Sequence, residues 1–253
     1  MITTVQQKTE EDFELLPDPE RIVNGLRDTG YNFNTAVADI VDNSIAANAT
    51  KINIEVNMDP NMQVKVYFAD NGCGMDLDGL KNAMKYGSKE RIEKNSLGKF
   101  GLGLKTASTA FCKQFSLISR NSPDSELRKV QWDLDYIANN GSWLLQFPVI
   151  DSDEEDMLNM VAEGSSGTLL VWEKIDRLMK NYKNFKNAQN GLNKILEELR
   201  FHLSMVFQRY LDKNDSRAQN VEITVNTQSV SPWDPFCTKE KNTELLQEED
   251  VPV

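Results

Sequence analysis

The sequence predicts an α+β fold in which helices pack on a mixed β-sheet. An apolar stripe recurs at helical spacing over 34–48, and 51–56 then alternates apolar and polar residues as a strand does. Further strand patterns lead to a long amphipathic pattern over 192–210. Its single apolar face is typical of a helix that packs on a sheet.

The elements follow from spacing and from the turn residues between them. The Pro17-Asp18-Pro19 turn favours a helix start, and a short helix is predicted at 21–26 before Gly30. Further helices are predicted at 34–48, 77–86, 101–110 and 192–210, and the acidic run 151–156 as a solvated helix start. Strands are predicted at 51–56, 64–68, 115–119, 130–134, 143–147, 167–172 and 221–225.

Composition and charge limit the class of protein. Of 253 residues, 40% are hydrophobic and 26% charged, as in ordinary soluble domains. No apolar run approaches the roughly 20 residues that cross a bilayer, and the N-terminus lacks a secretory signal pattern. We therefore expect a cytoplasmic protein that makes no membrane contact. The net charge of -11 argues against a dominant nucleic-acid clamp, because it repels phosphate backbones at long range.

The cysteines predict neither a disulfide framework nor a zinc site. Cys73, Cys112 and Cys237 are odd in number and widely spaced. All three are expected to be reduced thiols, and Cys73 is expected to be a small buried residue.

The first candidate motif lies on the helix over 34–48. Asp39, Asn43 and Ala46 are at i, i+4 and i+7, on a different side from the apolar stripe. Taken alone, such residues are typical of the solvent side of an amphipathic helix. The motifs that follow favour a binding face instead.

The second motif, Asp70-Asn71-Gly72-Cys73-Gly74-Met75, comes directly after a predicted strand. A carboxylate in this place is able to accept a hydrogen bond from an exocyclic amine, while Gly72 and Gly74 let the backbone approach a ligand. By itself, Asp-Asn-Gly is only a turn signal.

The third motif, Gly98-Lys99-Phe100-Gly101-Leu102-Gly103-Leu104-Lys105, places small residues at a helix start, where free amides and the helix dipole favour phosphate. The polar, lysine-rich segment 87–98 before it is predicted to be a mobile lid. The glycine spacing fits neither a P-loop nor a Rossmann turn.

The order of these motifs, followed by Gly167-Thr168, resembles the GHKL ATPases, and the segments around Asp39 and Gly101 are most similar to the MORC-type and bacterial MORC-like members. The resemblance covers roughly 19–236. It implies a two-layer α/β sandwich of the Bergerat type, a mixed sheet with helices on one face. It also divides the chain into a flexible leader at 1–17, an ATP-binding domain at 18–218, and the truncated start of a transducer-like second domain at 219–253.

The resemblance also implies roles for single residues. Asn43 would ligate magnesium, Asp70 would bind the adenine amine with help from Thr168, and Asp39 would orient the attacking water. The remaining implied contacts are amides of Gly101, Leu102, Gly103 and Leu104 on the phosphates, positive charge from Lys99 and Lys105, and an adenine pocket lined by Ala47 and Met75.

Two positions depart from the pattern of the relatives. Many relatives have glutamate in place of Asp39, and a carboxylate about 1 Å short can cost around a hundredfold in rate. Ala46 stands where many relatives carry an aspartate. ATP binding is therefore predicted more firmly than hydrolysis.

The leading hypothesis is an ATP-operated switch with slow magnesium-dependent hydrolysis, in which ATP closes the lid and drives homodimerisation. The alternative is a non-hydrolysing nucleotide-binding module that recruits a partner. An effector protein or DNA would bind through regions outside this chain. Relatives serve DNA topology, repair, chromatin, chaperoning and phage defence, so the resemblance does not select a process.

Overall fold

The computed structural model describes residues 18–28, 30–85, 103–179, 181–238 and 240–244. Within these ranges, seven strands form one sheet in the order β4-β3-β5-β2-β1-β6-β7. The strands are β1 (Lys51–Met58), β2 (Val64–Asp70), β3 (Cys112–Arg120), β4 (Arg128–Asp133), β5 (Gly167–Ile175), β6 (Glu222–Val225) and β7 (Gln228–Ser229). Neighbouring strands are antiparallel except for β1 and β6, which are parallel, so the predicted mixed sheet is confirmed.

The described helices mostly begin with polar caps that the sequence supplies. They are α1 (Pro19–Arg27), α2 (Phe33–Ala46), α3 (Leu77–Met84), α4 (Gly103–Phe111), α5 (Leu134–Asn140), α6 (Ser152–Ala162), α7 (Phe185–Val206) and α8 (Gln208–Leu211). Side chains of Asp18, Asn32 and Asp76 accept hydrogen bonds from first-turn amides of α1, α2 and α3. Asp151 and Glu154 form a capping box on α6, which confirms the predicted helix start, although Glu154 is buried rather than solvated.

The main core lies between the sheet and α2, α4 and α7. Trp172 of β5 is fully buried there, with its ring 4.8 Å from that of Phe68 and stacked at 6.1 Å on that of Phe111. Its indole Nε1 donates to the Ser108 hydroxyl of α4 at 2.8 Å. This contact satisfies the buried indole and holds α4 against the sheet.

A smaller core covers the opposite face of the sheet. Leu158 of α6 packs there with Leu169 and Ile118. Lys129 of β4 and Glu154 of α6 form a buried ion pair with an N–O distance of 2.5 Å beside this cluster. The sheet therefore carries α6 on this face and α2, α4 and α7 on the other, whereas the resemblance implies helices on one face.

Three sequence expectations have a different outcome. The predicted strand at 143–147 is wrong, because the only pairing described in it is an isolated bridge between Gln131 and Gln146. Residue 134 does not extend β4 but begins α5. The strand over 222–225, inside the segment 219–253 assigned to a second domain, lies beside β1 in the same sheet, while the boundary of a second domain stays a prediction.

Two predicted segments lie outside the described residues, namely the leader at 1–17 and the lid over 87–98. In the part of the chain that is described, no helix has the length and apolarity needed to cross a membrane.

Candidate functional site

Asp70 ends β2 with its carboxylate buried, only 7% exposed. Oδ1 accepts a hydrogen bond from the Gly72 amide at 2.9 Å, and Oδ2 accepts one from the Ser44 hydroxyl at 2.8 Å. The Thr168 backbone on the paired strand β5 is a further partner. An ionised carboxylate accepts about four hydrogen bonds, so this one keeps capacity for one more donor.

The charge of Asp70 is controlled by two opposing effects. Burial raises the pKa of the carboxyl, and the hydrogen bonds from Gly72, Ser44 and Thr168 act in the opposite direction. These donors stabilise the ionised form. Protein donors rather than water molecules thus orient the Asp70 carboxylate.

The turn after β2 requires its glycines and its asparagine. A Cβ at Gly72 would lie 2.9 Å from the Cβ of Ala47 and 2.9 Å from Asp70 Oδ1. Gly74 has φ +62°, and a Cβ there would collide with the Arg120 carbonyl oxygen. The Asn71 side chain serves the fold, since its Oδ1 accepts from the backbone amides of residues 50 and 51, each at 2.8 Å.

Ser119 joins the turn to β5, and sequence reasoning missed it. Its hydroxyl oxygen accepts from the Met75 amide at 2.8 Å, and its O–H donates to the Gly167 carbonyl at 2.7 Å. The Thr168 hydroxyl lies 3.0 Å from the same oxygen. One buried hydroxyl thus places Met75 and Thr168, two of the predicted adenine contacts, next to each other.

On α2, Asp39 and Asn43 lie one turn apart. The Asn43 Nδ2 donates to the Asp39 carbonyl at 2.8 Å, which leaves the amide oxygen of Asn43 without a described hydrogen bond. The Asp39 Oδ2 accepts from the Tyr31 hydroxyl at 2.7 Å. Burial and the neighbouring Asp39 carboxylate raise the pKa of Asp42 to about 6.

The start of α4 is described from Gly103 onward. A Cβ at Gly103 would meet no described atom within 4 Å, and Leu104 packs partly against the main core. Lys105 is 1% exposed, and its Nζ donates to the Ala83 carbonyl at the end of α3, 2.7 Å away. Burial lowers the pKa of Lys105 to about 8. Its ammonium therefore binds the end of α3, a contact the sequence did not predict, whereas Lys99, Gly101 and Leu102 lie outside the described residues.

Contacts through α2 bring the separate motifs together. Ser44 of α2 donates to Asp70, and the Ala47 carbonyl that follows the helix accepts from the Cys73 amide at 2.8 Å. Tyr31, just before α2, donates to Asp39 and lies near the Thr106 side chain in the first turn of α4. The predicted helix, strand-turn and helix-start motifs thus surround one place.

Sequence reasoning missed Ser44 and Tyr31 as well as Ser119. Ser44 could have been predicted, because it follows Asn43 on a helix already identified as a binding face.

The prediction for Cys73 is wrong, because this residue was expected to be buried but is exposed. Its thiol is free, as are those of Cys112 and Cys237.

The donor set near Asn43 fits magnesium only in partnership with a phosphate ligand. Among the described residues there is no group of three or more histidine, cysteine or acidic side chains placed to hold a metal. Magnesium in nucleotide sites keeps several waters and takes one or two protein ligands besides phosphate oxygens. The amide oxygen of Asn43 suits that role.

A cavity of about 340 Å³ lies away from these residues, between α3, β4 and the chain around residue 144. It is lined by Lys81, Met84, Lys85, Trp132, Trp143 and Leu145. None of the predicted site residues that the structure describes contributes to its wall.

Comparison with known proteins identifies the family. Residues 31–168 match the model described as histidine kinase-, DNA gyrase B- and HSP90-like ATPase, and they make up more than half of the chain. The chain belongs to this ATPase family. The predicted resemblance to the GHKL ATPases and the α+β fold of that family are confirmed. Membership supports ATP binding and ATPase activity as the general function.

Two similar proteins carry MORC names. ATPase MORC2B of Mus musculus is 34% identical over 89 residues, which are 34% of this chain and 9% of that protein. Protein MICRORCHIDIA 1 of Arabidopsis thaliana is 27% identical over 139 residues, 52% of this chain and 22% of that protein. The chain thus spans less than a quarter of the length of either relative.

A solved structure described as the N-terminal domain of a DNA repair protein is also similar to this ATPase domain. It superimposes with a TM-score of 0.46 at 22% identity, over 82% of this chain and 51% of that chain.

Proposed function

We propose that this domain binds ATP with magnesium at the place where α2, the turn after β2 and the start of α4 meet. The observation that carries the proposal is the buried Asp70 carboxylate. Hydrogen bonds from the Gly72 amide and the Ser44 hydroxyl orient it, and it keeps capacity for a ligand N–H. Adenine offers such a donor in its exocyclic amine.

The same carboxylate sets the base preference. Guanine presents a carbonyl oxygen where adenine presents its amine, so two acceptors would face each other at Asp70. A buried site that leaves such groups unpaired rejects the wrong ligand strongly. Thr168 and Met75, held by Ser119, would complete the adenine pocket together with Ala47, Gly72 and Gly74.

The test is a calorimetric titration of the domain with non-hydrolysable analogues of ATP and GTP, with and without magnesium. We expect the ATP analogue to bind at least about a hundredfold more tightly, because the loss for guanine includes an unpaired buried acceptor. Equal affinity for the two analogues would contradict the assignment of Asp70.

For hydrolysis, we propose that Asn43 ligates magnesium through its amide oxygen and that Asp39 orients the water. Attack on the terminal phosphate would be in line, helped mainly by positioning and by charge stabilisation. Amides at the start of α4, those of Gly103 and Leu104 among them, would bind the phosphates. When bound, magnesium neutralises charge on the phosphate oxygens.

The alternative is a nucleotide-binding module that does not turn over, favoured by aspartate rather than glutamate at position 39. Phosphate release from the wild-type domain, Asp39→Ala and Asp39→Glu separates the two. A clear fall in rate in Asp39→Ala supports hydrolysis. An equal background rate in all three supports the module.

We further propose that ATP binding closes the domain and drives association of two copies, so that the protein acts as a switch. The support is the resemblance to the GHKL and MORC-type ATPases. Light scattering of the domain with the ATP analogue is expected to show a dimer, and without nucleotide a monomer. An effector protein or DNA would then bind through regions outside this chain.

A further inference from the structure

Tyr31 occupies the junction between α2 and α4. Its hydroxyl donates to Asp39 Oδ2 at 2.7 Å, and the Thr106 side chain lies close enough to influence the pKa of the phenol. The first of these contacts, together with burial, raises the pKa of the phenol, so the hydroxyl keeps its proton. Tyr31 is therefore a fixed donor to Asp39.

This contact selects one orientation of the Asp39 carboxylate. Oδ2 is held by the phenol, so Oδ1 is the oxygen that remains for another partner. The backbone of the same residue is held too, because its carbonyl accepts from Asn43 Nδ2 at 2.8 Å. Both ends of Asp39 are thus tied to groups that belong to the proposed site.

Thr106 is the second polar neighbour of the Tyr31 phenol. It lies in the first turn of α4, one turn from Gly103, and its hydroxyl also lies within 3.2 Å of the Gly103 carbonyl. The phenol thus has Asp39 of α2 as its hydrogen-bond partner and the first turn of α4 as its neighbour. Tyr31 therefore lies between the place proposed for phosphate and the group proposed to orient water.

We propose that Tyr31 is a positioning residue for ATP hydrolysis, which aims the short carboxylate of Asp39 at the attacking water and aligns it with the start of α4. The inference rests on the proposed function. An aspartate side chain has few ways to correct a misplacement, and misplacement by 1 Å can cost about a hundredfold in rate. Orientation by a neighbouring donor is thus worth more here than beside a longer, adaptable side chain.

The experiment compares the wild-type domain with Tyr31→Phe, Asp39→Ala and the double variant, measuring phosphate release and ATP affinity separately. Phenylalanine keeps the ring that packs partly against the core and removes only the hydroxyl. We expect Tyr31→Phe to lower kcat about tenfold or more while the Kd for the ATP analogue changes less than about twofold. The matched control is Tyr67→Phe, a phenol on β2 that packs with the cluster on the opposite face.

The double variant decides whether Tyr31 acts through Asp39. Adding Tyr31→Phe to Asp39→Ala is expected to cost nothing further, because the group it positions is gone. Independent, multiplying losses would overturn the inference, as would an unchanged kcat in Tyr31→Phe. A wild-type domain that binds ATP without turnover would overturn proposed hydrolysis and this inference together. A wild-type domain that turns over with Tyr31→Phe at full rate would overturn the inference alone.

Discussion

Replacing Asp70 by asparagine tests the adenine site with almost no change in volume. The amide oxygen of the new side chain must face the Gly72 amide, which requires an acceptor, so its NH₂ group turns toward Ser44. The Ser44 hydroxyl is able to rotate and accept. The substitution thus preserves the fold while an adenine amine loses a charged acceptor.

The expected loss follows from the contact removed. A hydrogen bond to a charged group contributes about 1.5–3 kcal/mol, and each ~1.4 kcal/mol is a tenfold change in affinity. We expect the Kd for the ATP analogue to rise about 10- to 100-fold in Asp70→Asn. Because burial raises the pKa of Asp70, its charge opposes folding at neutral pH, so the free variant keeps or gains thermal stability.

Calorimetric titration and thermal melting measure the two quantities. Asp78→Asn is the matched control, because that carboxylate is 93% exposed in the first turn of α3. It is expected to leave the Kd unchanged. An Asp70→Asn variant that melts normally and binds the ATP analogue as tightly as the wild type would refute the reasoning.

Three further outcomes are expected. Gly74→Ala lowers the free energy of unfolding by about 1–3 kcal/mol, and with it the melting temperature, because the left-handed conformation is strained and the Cβ collides with the Arg120 carbonyl. A normal melting curve would contradict this. Ser119→Ala leaves the Met75 amide without its partner and costs about 1–3 kcal/mol, read from denaturant unfolding, together with weaker ATP binding; unchanged unfolding would contradict it. On acidification the wild type loses ATP affinity at a higher pH than an ordinary aspartate would predict, because burial raises the pKa of Asp70 and the protonated form is a poorer acceptor. Titration of Asp70→Asn over the same pH range isolates this effect from that of the nucleotide, and parallel profiles would contradict it.

Elements defined by local periodicity were predictable from the sequence. The alternation over 51–56 became β1, and the apolar stripe over 34–48 became the buried side of α2. The segment 143–147 has a similar pattern but makes only one isolated bridge, to Gln131. Side chains of this segment, such as Trp143 and Leu145, pack against the core without forming a β-ladder. A local sequence pattern does not distinguish such a segment from a strand.

The partners within the site were harder to predict than its principal residues. Asp70 and Asn43 belong to short motifs with recognisable context. Ser119, by contrast, acquires its role only because β3 and β5 are neighbours. It is 44 residues from Met75 in sequence, yet its hydroxyl oxygen lies 2.8 Å from the Met75 amide nitrogen. A serine near the end of a strand carries no such signal, since its contacts are decided by strand order.

The pairing of β1 with β6 has a consequence for how the chain folds. β1 finds β2 across a short hairpin, but its other edge pairs with residues 222–225, about 170 positions later. Contacts of such long range form late, because the loop must be closed first. During synthesis, β1 therefore remains an open edge until that segment has left the ribosome, and an open edge invites pairing with other chains. The charged residues Lys51 and Glu55 on β1 act against such aggregation while the edge waits for its partner.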